Sequence, residues 1–331
     1  MKRYKKFVLE AEKGITFEIL RGTNGDLIIR ALNDAIAKSE SESEYNVNLP
    51  ESDESKHLCE KSENVKTKVG TKNYEKPPIP DGYKYVCGKW YNGFVMERCS
   101  DGSQFVWIPV GWLDPNGTLD GEHFSEKFGR RNYRDDEFSE DEYHEDLDDE
   151  LLEQLESVKK YGGFYFSCHN ISKSPTGKPQ SVKGVMPLGY INCDDAQNCA
   201  LTMENNGAVK SHLVFGAEYD SVLEWLIKSG AKTLDEIAND STKWGNYENA
   251  KDSSWKLLKT GSIEEWCTNN IYDLAGNMAE WTQEQKGSSK RVIRGGSYDA
   301  SGKNSPVSHR YRSNPCYSYK DTGFRVALCI K

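Results

Sequence analysis

Most of the short motifs that mark enzymes are missing from this chain. It has no Gly-x-Ser-x-Gly elbow, no phosphate-binding loop, no dinucleotide fingerprint and no His-Glu-x-x-His helix, so ordinary hydrolase, nucleotide-dependent and zinc-protease chemistry lack their usual residues. Histidine is sparse. His57, His123, His144, His169, His212 and His309 lie far apart with no metal-ligand spacing, and are expected as surface or hydrogen-bonded structural residues. Nine Cys, an odd number, include no Cys-x-x-Cys pair. Cys87 to Cys99 and Cys193 to Cys199 match neither a zinc knuckle nor a ribbon, which points to free, mostly buried thiols in a reducing compartment. Nor is there an apolar run near the roughly 20 residues of a membrane helix, or an apolar signal core after the Met-Lys-Arg-Tyr-Lys-Lys start. Membrane insertion and classical secretion are not expected, which leaves a cytoplasmic or virion-associated location open.

What is present is charge, unevenly placed. The 331 residues carry a formal net charge of −9 and a mean hydropathy of −0.77. Between Asp135 and Glu156 there are 13 Asp or Glu and no Lys or Arg, so the acidity belongs to one segment, and a solvated helix face is preferred there to a metal site. From Lys286 to Lys331 ten Lys or Arg face only two acids. No nucleic-acid motif accompanies that basic stretch, and no nucleic-acid partner is expected.

The organisation reads in three parts. Residues 1–37 form a small attachment unit: Ile15, Phe17 and Ile19 alternate as in a strand, Asn24-Gly25 signals a turn, and Leu27 to Ile36 suits a second strand or short helix. Residues 38–78 are a polar linker by composition. Residues 79–331 form one domain, with order resuming at Pro77-Pro78-Ile79-Pro80. Within it, Phe105 to Val110 reads as a buried strand, Leu147, Leu151, Leu155 and Val158 as a helix face, and Gly162 to Phe166 as another strand. Ala217 to Ser229 predicts a helix burying Tyr219, Val222, Leu223, Leu226 and Ile227, stopped by Gly230. After Trp244, apolar runs are short (Val292-Ile293 and Val326 to Ile330), yet five Trp follow position 220. An ordered, loop-rich structure is expected there, the setting in which function concentrates.

Three motifs in that region occur in order: Gly276-Asn277-Met278-Ala279-Glu280-Trp281, Arg294-Gly295-Gly296-Ser297 and Gly323-Phe324-Arg325. They resemble the Gly-Asn-x-x-Glu-Trp, Arg-Gly-Gly-Ser and Gly-Phe-Arg motifs of the formylglycine-generating enzyme (sulfatase-modifying factor) family. The resemblance implies an α+β, C-type-lectin-like, loop-rich fold. It also implies a structural Ca²⁺ held by the carboxylates of Asp273 and Glu280 and the carbonyls of Gly276 and Met278, a hard-oxygen set of the kind calcium takes, although Glu280 could instead brace a loop. Trp281, Arg294, Arg310 and Arg325 would hold the framework. The catalytic branch of the family binds copper through two Cys shortly before an Arg and a Pro. Aligned on Arg310 and Pro315, this chain has Gly302 or its neighbours and Val307 there, and Cys316 and Cys329 fall elsewhere. The thiolates that copper(I) requires are absent, and the N-terminal residues supply no His-rich domain for iron. Neither copper nor iron is expected, so the chain is read as non-enzymatic; a divergent formylglycine-generating or sulfoxide-forming oxygenase is the rival.

Between Ser297 and Thr322, 14 of 26 residues are Tyr, Ser, Asn or Asp, the types that give paratopes amphipathic contact area and adaptable hydrogen bonds. The stretch is therefore expected to be a surface, with Tyr298, Asp299, Ser301, Asn304, Ser305, Tyr311, Ser313, Tyr317, Ser318, Tyr319 and Asp321 as ligand-binding residues. The pattern resembles the variable proteins of diversity-generating retroelements in phages and bacteria, which display a rewritten C-terminal surface on a fixed lectin-like scaffold. It implies a protein or surface-receptor ligand and leaves the oligomeric state open.

Overall fold

The computed structural model describes residues 7–11, 15–21, 27–31, 77–110, 112–113, 119–120, 128–134, 142–146, 148–251 and 255–331. Three N-terminal strands, β1 (Phe7–Ala11), β2 (Ile15–Arg21) and β3 (Leu27–Ala31), pair as an antiparallel sheet. The expected strand at Ile15–Ile19 is thus found, and the run from Leu27 is a strand as far as Ala31. The Asn24-Gly25 turn and the proposed linker, apart from Pro77 and Pro78, lie outside the described residues.

The main unit then runs β4 (Tyr83–Lys89), β5 (Asn92–Arg98), β6 (Gln104–Pro109), α1 (Asp149–Tyr161), β7 (Gly163–Ser167), α2 (Cys193–Met203), β8 (Val209–Leu213), α3 (Gly216–Lys228) and α4 (Leu234–Ala238). It ends with β9 (Ala279–Lys286), β10 (Lys290–Arg294), β11 (Tyr311–Ser313), β12 (Thr322–Phe324) and β13 (Val326–Ile330). A six-stranded sheet in the order β8-β13-β7-β6-β5-β4 carries the core, and a smaller sheet, β11-β10-β9-β12, carries the C-terminal loops. All pairings among these strands are antiparallel except β9 with β12. This is a loop-rich α+β fold, as expected.

Sequence explains the main elements. β6 and β7 are buried on both faces, and so appear as continuous apolar runs rather than alternating ones. α1 starts on an Asp148 side chain that accepts from the Leu151 N–H, and stops at Gly162, which takes the left-handed φ of 83°. Its Leu151, Leu155 and Val158 are buried as expected; Leu147 lies outside the described residues. α3 buries Tyr219, Val222, Leu223 and Leu226 and leaves Ile227 half-buried. The unexpected part of α3 is that its Glu218 and Asp220 are also fully buried.

Three expectations need correction. The acidic segment is more than a solvated face. Glu145 is buried, and its carboxyl group accepts from the backbone N–H groups of Gly216 and Ala217 at the start of α3, where the helix dipole favours an acceptor. The thiols are not mostly buried: all eight described Cys are free, but only Cys168, Cys193 and Cys329 are buried. His169 is neither at the surface nor satisfied. It is fully buried with both ring nitrogens lacking a hydrogen-bond partner, and it stacks on Tyr272 with centroids 4.7 Å apart. That burial, reinforced by the positive charges of Arg325 and Lys183, pushes its pKa down to about 3, so the ring is neutral. Among the described residues, no helix is long and apolar enough to cross a membrane.

Candidate functional site

The C-terminal loops hang from β9 and β10. β10 ends at Arg294, and Gly295 and Gly296, with φ of 90° and 70°, turn the chain out of the sheet. A Cβ on Gly296 would lie 2.6 Å from the Ser305 carbonyl oxygen, so the turn and the following loop require glycine. The loop 297–310 leads into β11, and a second loop, 314–321, returns to β12. At Arg325 the chain then leaves the small sheet and enters the large one as β13. The Gly-Phe-Arg motif is the joint between the two sheets.

Four framework residues fix this arrangement. Trp281 is fully buried and donates its indole N–H to the Ile191 carbonyl at 3.0 Å. Arg325 donates to Glu280 Oε1 at 2.7 Å, to the Ser167 carbonyl at 3.0 Å and to the Tyr272 carbonyl. Arg294 and Arg310 meet a pair of buried acids from two other elements. Arg294 donates to Asp220 Oδ1 at 2.6 Å and lies 3.4 Å from Glu284 Oε2, and its guanidinium stacks over Tyr219. Arg310 donates to Asp220 Oδ2 and, at 3.0 Å, to Glu284 Oε1, which Arg130 also approaches at 3.4 Å. Burial pushes the Asp220 carboxyl up, but the two guanidiniums outweigh it and hold the carboxyl below its usual range. The cluster pins α3, β9, β10 and the residue preceding β11 to one another.

Above it opens a pocket of about 240 Å³. Asp299, Ser305, Tyr311, Tyr319 and Asp321 of the expected ligand-binding set line it. Tyr317, Ser318 and Asn304 are exposed outside it, and Ser301 is half-buried. Tyr311 and Tyr317 are more than half exposed, and the Tyr317 ring meets the Tyr319 ring edge-on. Two members of the set are not surface residues. Tyr298 is buried beneath Lys320, and Ser313 is buried with its hydroxyl 2.6 Å from that of Tyr319. Both sit where the loop folds back on its own sheet, which composition does not reveal.

Ser297, Ala300 and His309 also line the pocket; they fall within the expected surface but are not among the residues singled out for binding. Sequence reasoning missed Tyr190, which is 74% exposed and held at φ 54°, with its N–H donated to the Tyr319 carbonyl. A bulky residue held at positive φ is costly, and nothing in the sequence around Tyr190 marks it; backbone pairing of residues 190–193 with residues 315–319 brings it to the loop.

The residues implied for calcium lie on the opposite side of β9. Glu280 and Asp273 are both buried. Each has one carboxylate oxygen engaged: Glu280 Oε1 by Arg325 and by Asn170 at 2.9 Å, and Asp273 Oδ2 by the Gly261 N–H at 2.7 Å. Glu280 Oε2 has no partner. Burial pushes Asp273 up to about 6 and also raises Glu280. An orphaned carboxylate oxygen beside a second buried carboxyl fits a hard cation, which would relieve both penalties. Among the described residues no group of three or more His, Cys, Asp or Glu converges, so carbonyls such as those of Gly276 and Met278 would have to complete the shell.

Residues 224–330 match the family described as Sulfatase-modifying factor enzyme 1-like domain. Among solved structures, Treponema denticola variable protein 1 is similar over 75% of this chain and 99% of its own, with 14% identity and a TM-score of 0.40. PvdO from Pseudomonas aeruginosa is similar over 72% of this chain and 98% of its own, with 17% identity and a TM-score of 0.43. CarF is similar over 51% of this chain and 87% of its own, with 17% identity and a TM-score of 0.37. No curated protein matches the chain.

Proposed function

We propose that this chain is a non-enzymatic binding protein, the variable target protein of a diversity-generating retroelement, that recognises a protein or surface receptor through residues 297–322. The observation that carries the reading is the separation between a fixed frame and a displayed surface. Tyr311 and Tyr317 stand in solvent beside a side-chain-lined pocket, while Arg294, Arg310 and Trp281 beneath them are buried and paired. Exposed tyrosine on a rigid support gives large contact area at little entropic cost. The positions aligned with the copper-binding Cys support the non-catalytic side of this reading. Val307 is fully buried in the core, and a Cβ on Gly302 would lie 2.5 Å from the Thr242 backbone. Neither position offers a ligand or space for one. Asp273, Glu280 and the carbonyls of Gly276 and Met278 would hold a calcium ion that braces the loop before β9.

Changing Tyr311, Tyr317 and Tyr319 together to Ala is expected to abolish ligand binding and leave the melting temperature within a few degrees of the parent. A large fall in melting temperature would make these residues core and sink the reading. A reverse transcriptase gene beside this one, with a near-copy of the final coding segment differing at adenines, would identify the retroelement.

A further inference from the structure

The pocket beside the exposed tyrosines is lined by two carboxyl side chains, Asp299 and Asp321. Asp299, 39% exposed at its side chain, accepts from Ser297 Oγ at 2.8 Å and lies 3.3 Å from Lys320 Nζ. Asp321 lines the same pocket, and burial together with the neighbouring Asp299 carboxylate raises its pKa. Lys320 pairs with Asp299, and Asp321 adds a second carboxyl group beside it. Arg294 also lines the pocket but does not offset these carboxyl groups, because Asp220 and Glu284 already neutralise its guanidinium. Tyr311 and Tyr319 supply aromatic walls.

We propose that this pocket takes the guanidinium of an arginine side chain presented by a protein ligand, an inference that rests on the binding role proposed above. A planar fork of donors can bridge Asp299 and Asp321 at once while its face lies against a tyrosine ring, an arrangement that the single point of an ammonium does not match. At about 240 Å³ the cavity is smaller than the roughly 300–1,000 Å³ of most small-molecule sites. It suits one inserted side chain, with Tyr311 and Tyr317 left to contact the surrounding surface of the partner.

The test is a random peptide library displayed on phage and panned against the immobilised full chain, with the Tyr311→Ala/Tyr317→Ala/Tyr319→Ala variant as counter-selection. Selected sequences are remade as synthetic peptides, each with Arg, Lys or Gln at every selected basic position. Tyrosine-dependent peptides in which one Arg is essential are expected. Lys in its place should bind more weakly, Gln should lose on the order of tenfold or more, and Asp299→Asn/Asp321→Asn should remove the difference between Arg and Gln. Asp299→Asn alone, at an exposed site, gives the same readout at smaller amplitude if the double variant does not fold. Tyrosine-dependent binders that tolerate Gln at every basic position would overturn the arginine pocket and leave the binding role standing. Failure to select any tyrosine-dependent binder would overturn both.

Discussion

Replacing Asp220 by Ala tests directly how the pocket is held in place. The carboxylate is fully buried and accepts from Arg294 at 2.6 Å, from Arg310, and from the Arg131 backbone N–H at 2.8 Å. Without it, two guanidiniums that water does not reach keep Glu284 as their nearest counter-charge. Removing one partner of a buried ion pair typically costs about 3–5 kcal/mol, because the other charge stays buried. At about 2–4 °C per kcal/mol for a unit of this size, the melting temperature should fall by roughly 6–20 °C. Urea unfolding followed by far-UV circular dichroism gives the free energy directly. Asp220→Asn, which keeps the volume and one acceptor but loses the charge, should fall between the two. Because the folded carboxyl is held below its ordinary value, its contribution is present above the unfolded pKa of about 4 and is lost as pH falls through the folded pKa. The acid limb of the stability curve should therefore be flatter in the variant. A loss below about 1 kcal/mol for Asp220→Ala, with an unchanged acid limb, would refute the idea that this cluster is the brace.

Three further outcomes follow from the geometry. Gly296→Ala combines a φ of 70° with a Cβ 2.6 Å from the Ser305 carbonyl, whereas Gly177→Ala has a φ of 81° and open space. Gly177→Ala should cost about 1–2 kcal/mol and Gly296→Ala clearly more; equal losses in parallel melts would mean that the loop gives way freely. Burial pushes Glu145 up to about 8, against the opposing charge of Arg130. The folded state therefore keeps this proton while the unfolded chain releases it, and stability from this group should decline as pH rises from about 4.3 towards 8. Glu145→Gln should flatten that slope in melts taken across the range, and an unchanged slope would reject the assignment. Calcium should raise the melting temperature of the parent and not of Glu280→Ala; equal response of both would remove Glu280 from the ion's ligands.

Much of the fold was legible in the chain because its large sheet and helices bury apolar runs with ordinary stop signals. Phe105 to Val110, the α1 face, α3 with Gly230 behind it and the terminal Val326 to Ile330 all follow from periodicity and caps. The site was legible in composition and less so in depth. Tyr311, Tyr319, Asp299 and Asp321 do meet at one pocket, but Tyr298 and Ser313 turn inward, and local sequence carries no sign of which way a loop side chain points. Tyr190 and Asp220 come from other parts of the chain through pairings that no short-range pattern encodes.

The least readable element is also the one on which the site depends. β9 spells Ala-Glu-Trp-Thr-Gln-Glu-Gln-Lys, which has neither the alternation of a half-buried strand nor the continuous hydrophobicity of a central one, yet its first seven residues are buried. It can be buried because most of its polar side-chain atoms find partners, several of them far away in the sequence. Glu280 meets Arg325, Thr282 the Val292 carbonyl, Gln283 the Leu213 carbonyl, Glu284 three arginines, and Gln285 Asp146 from the acidic segment. The acidic segment thus closes the far end of the strand whose near end carries the pocket, and Tyr143–His144 pair with that same end. An apolar strand would tolerate slippage against its neighbours more readily than one whose polar side chains have specific partners. Register fixed by such partners holds the C-terminal loops from below, so side chains pointing into solvent at Tyr311, Tyr317 and Ser318 can differ without changing what the frame requires.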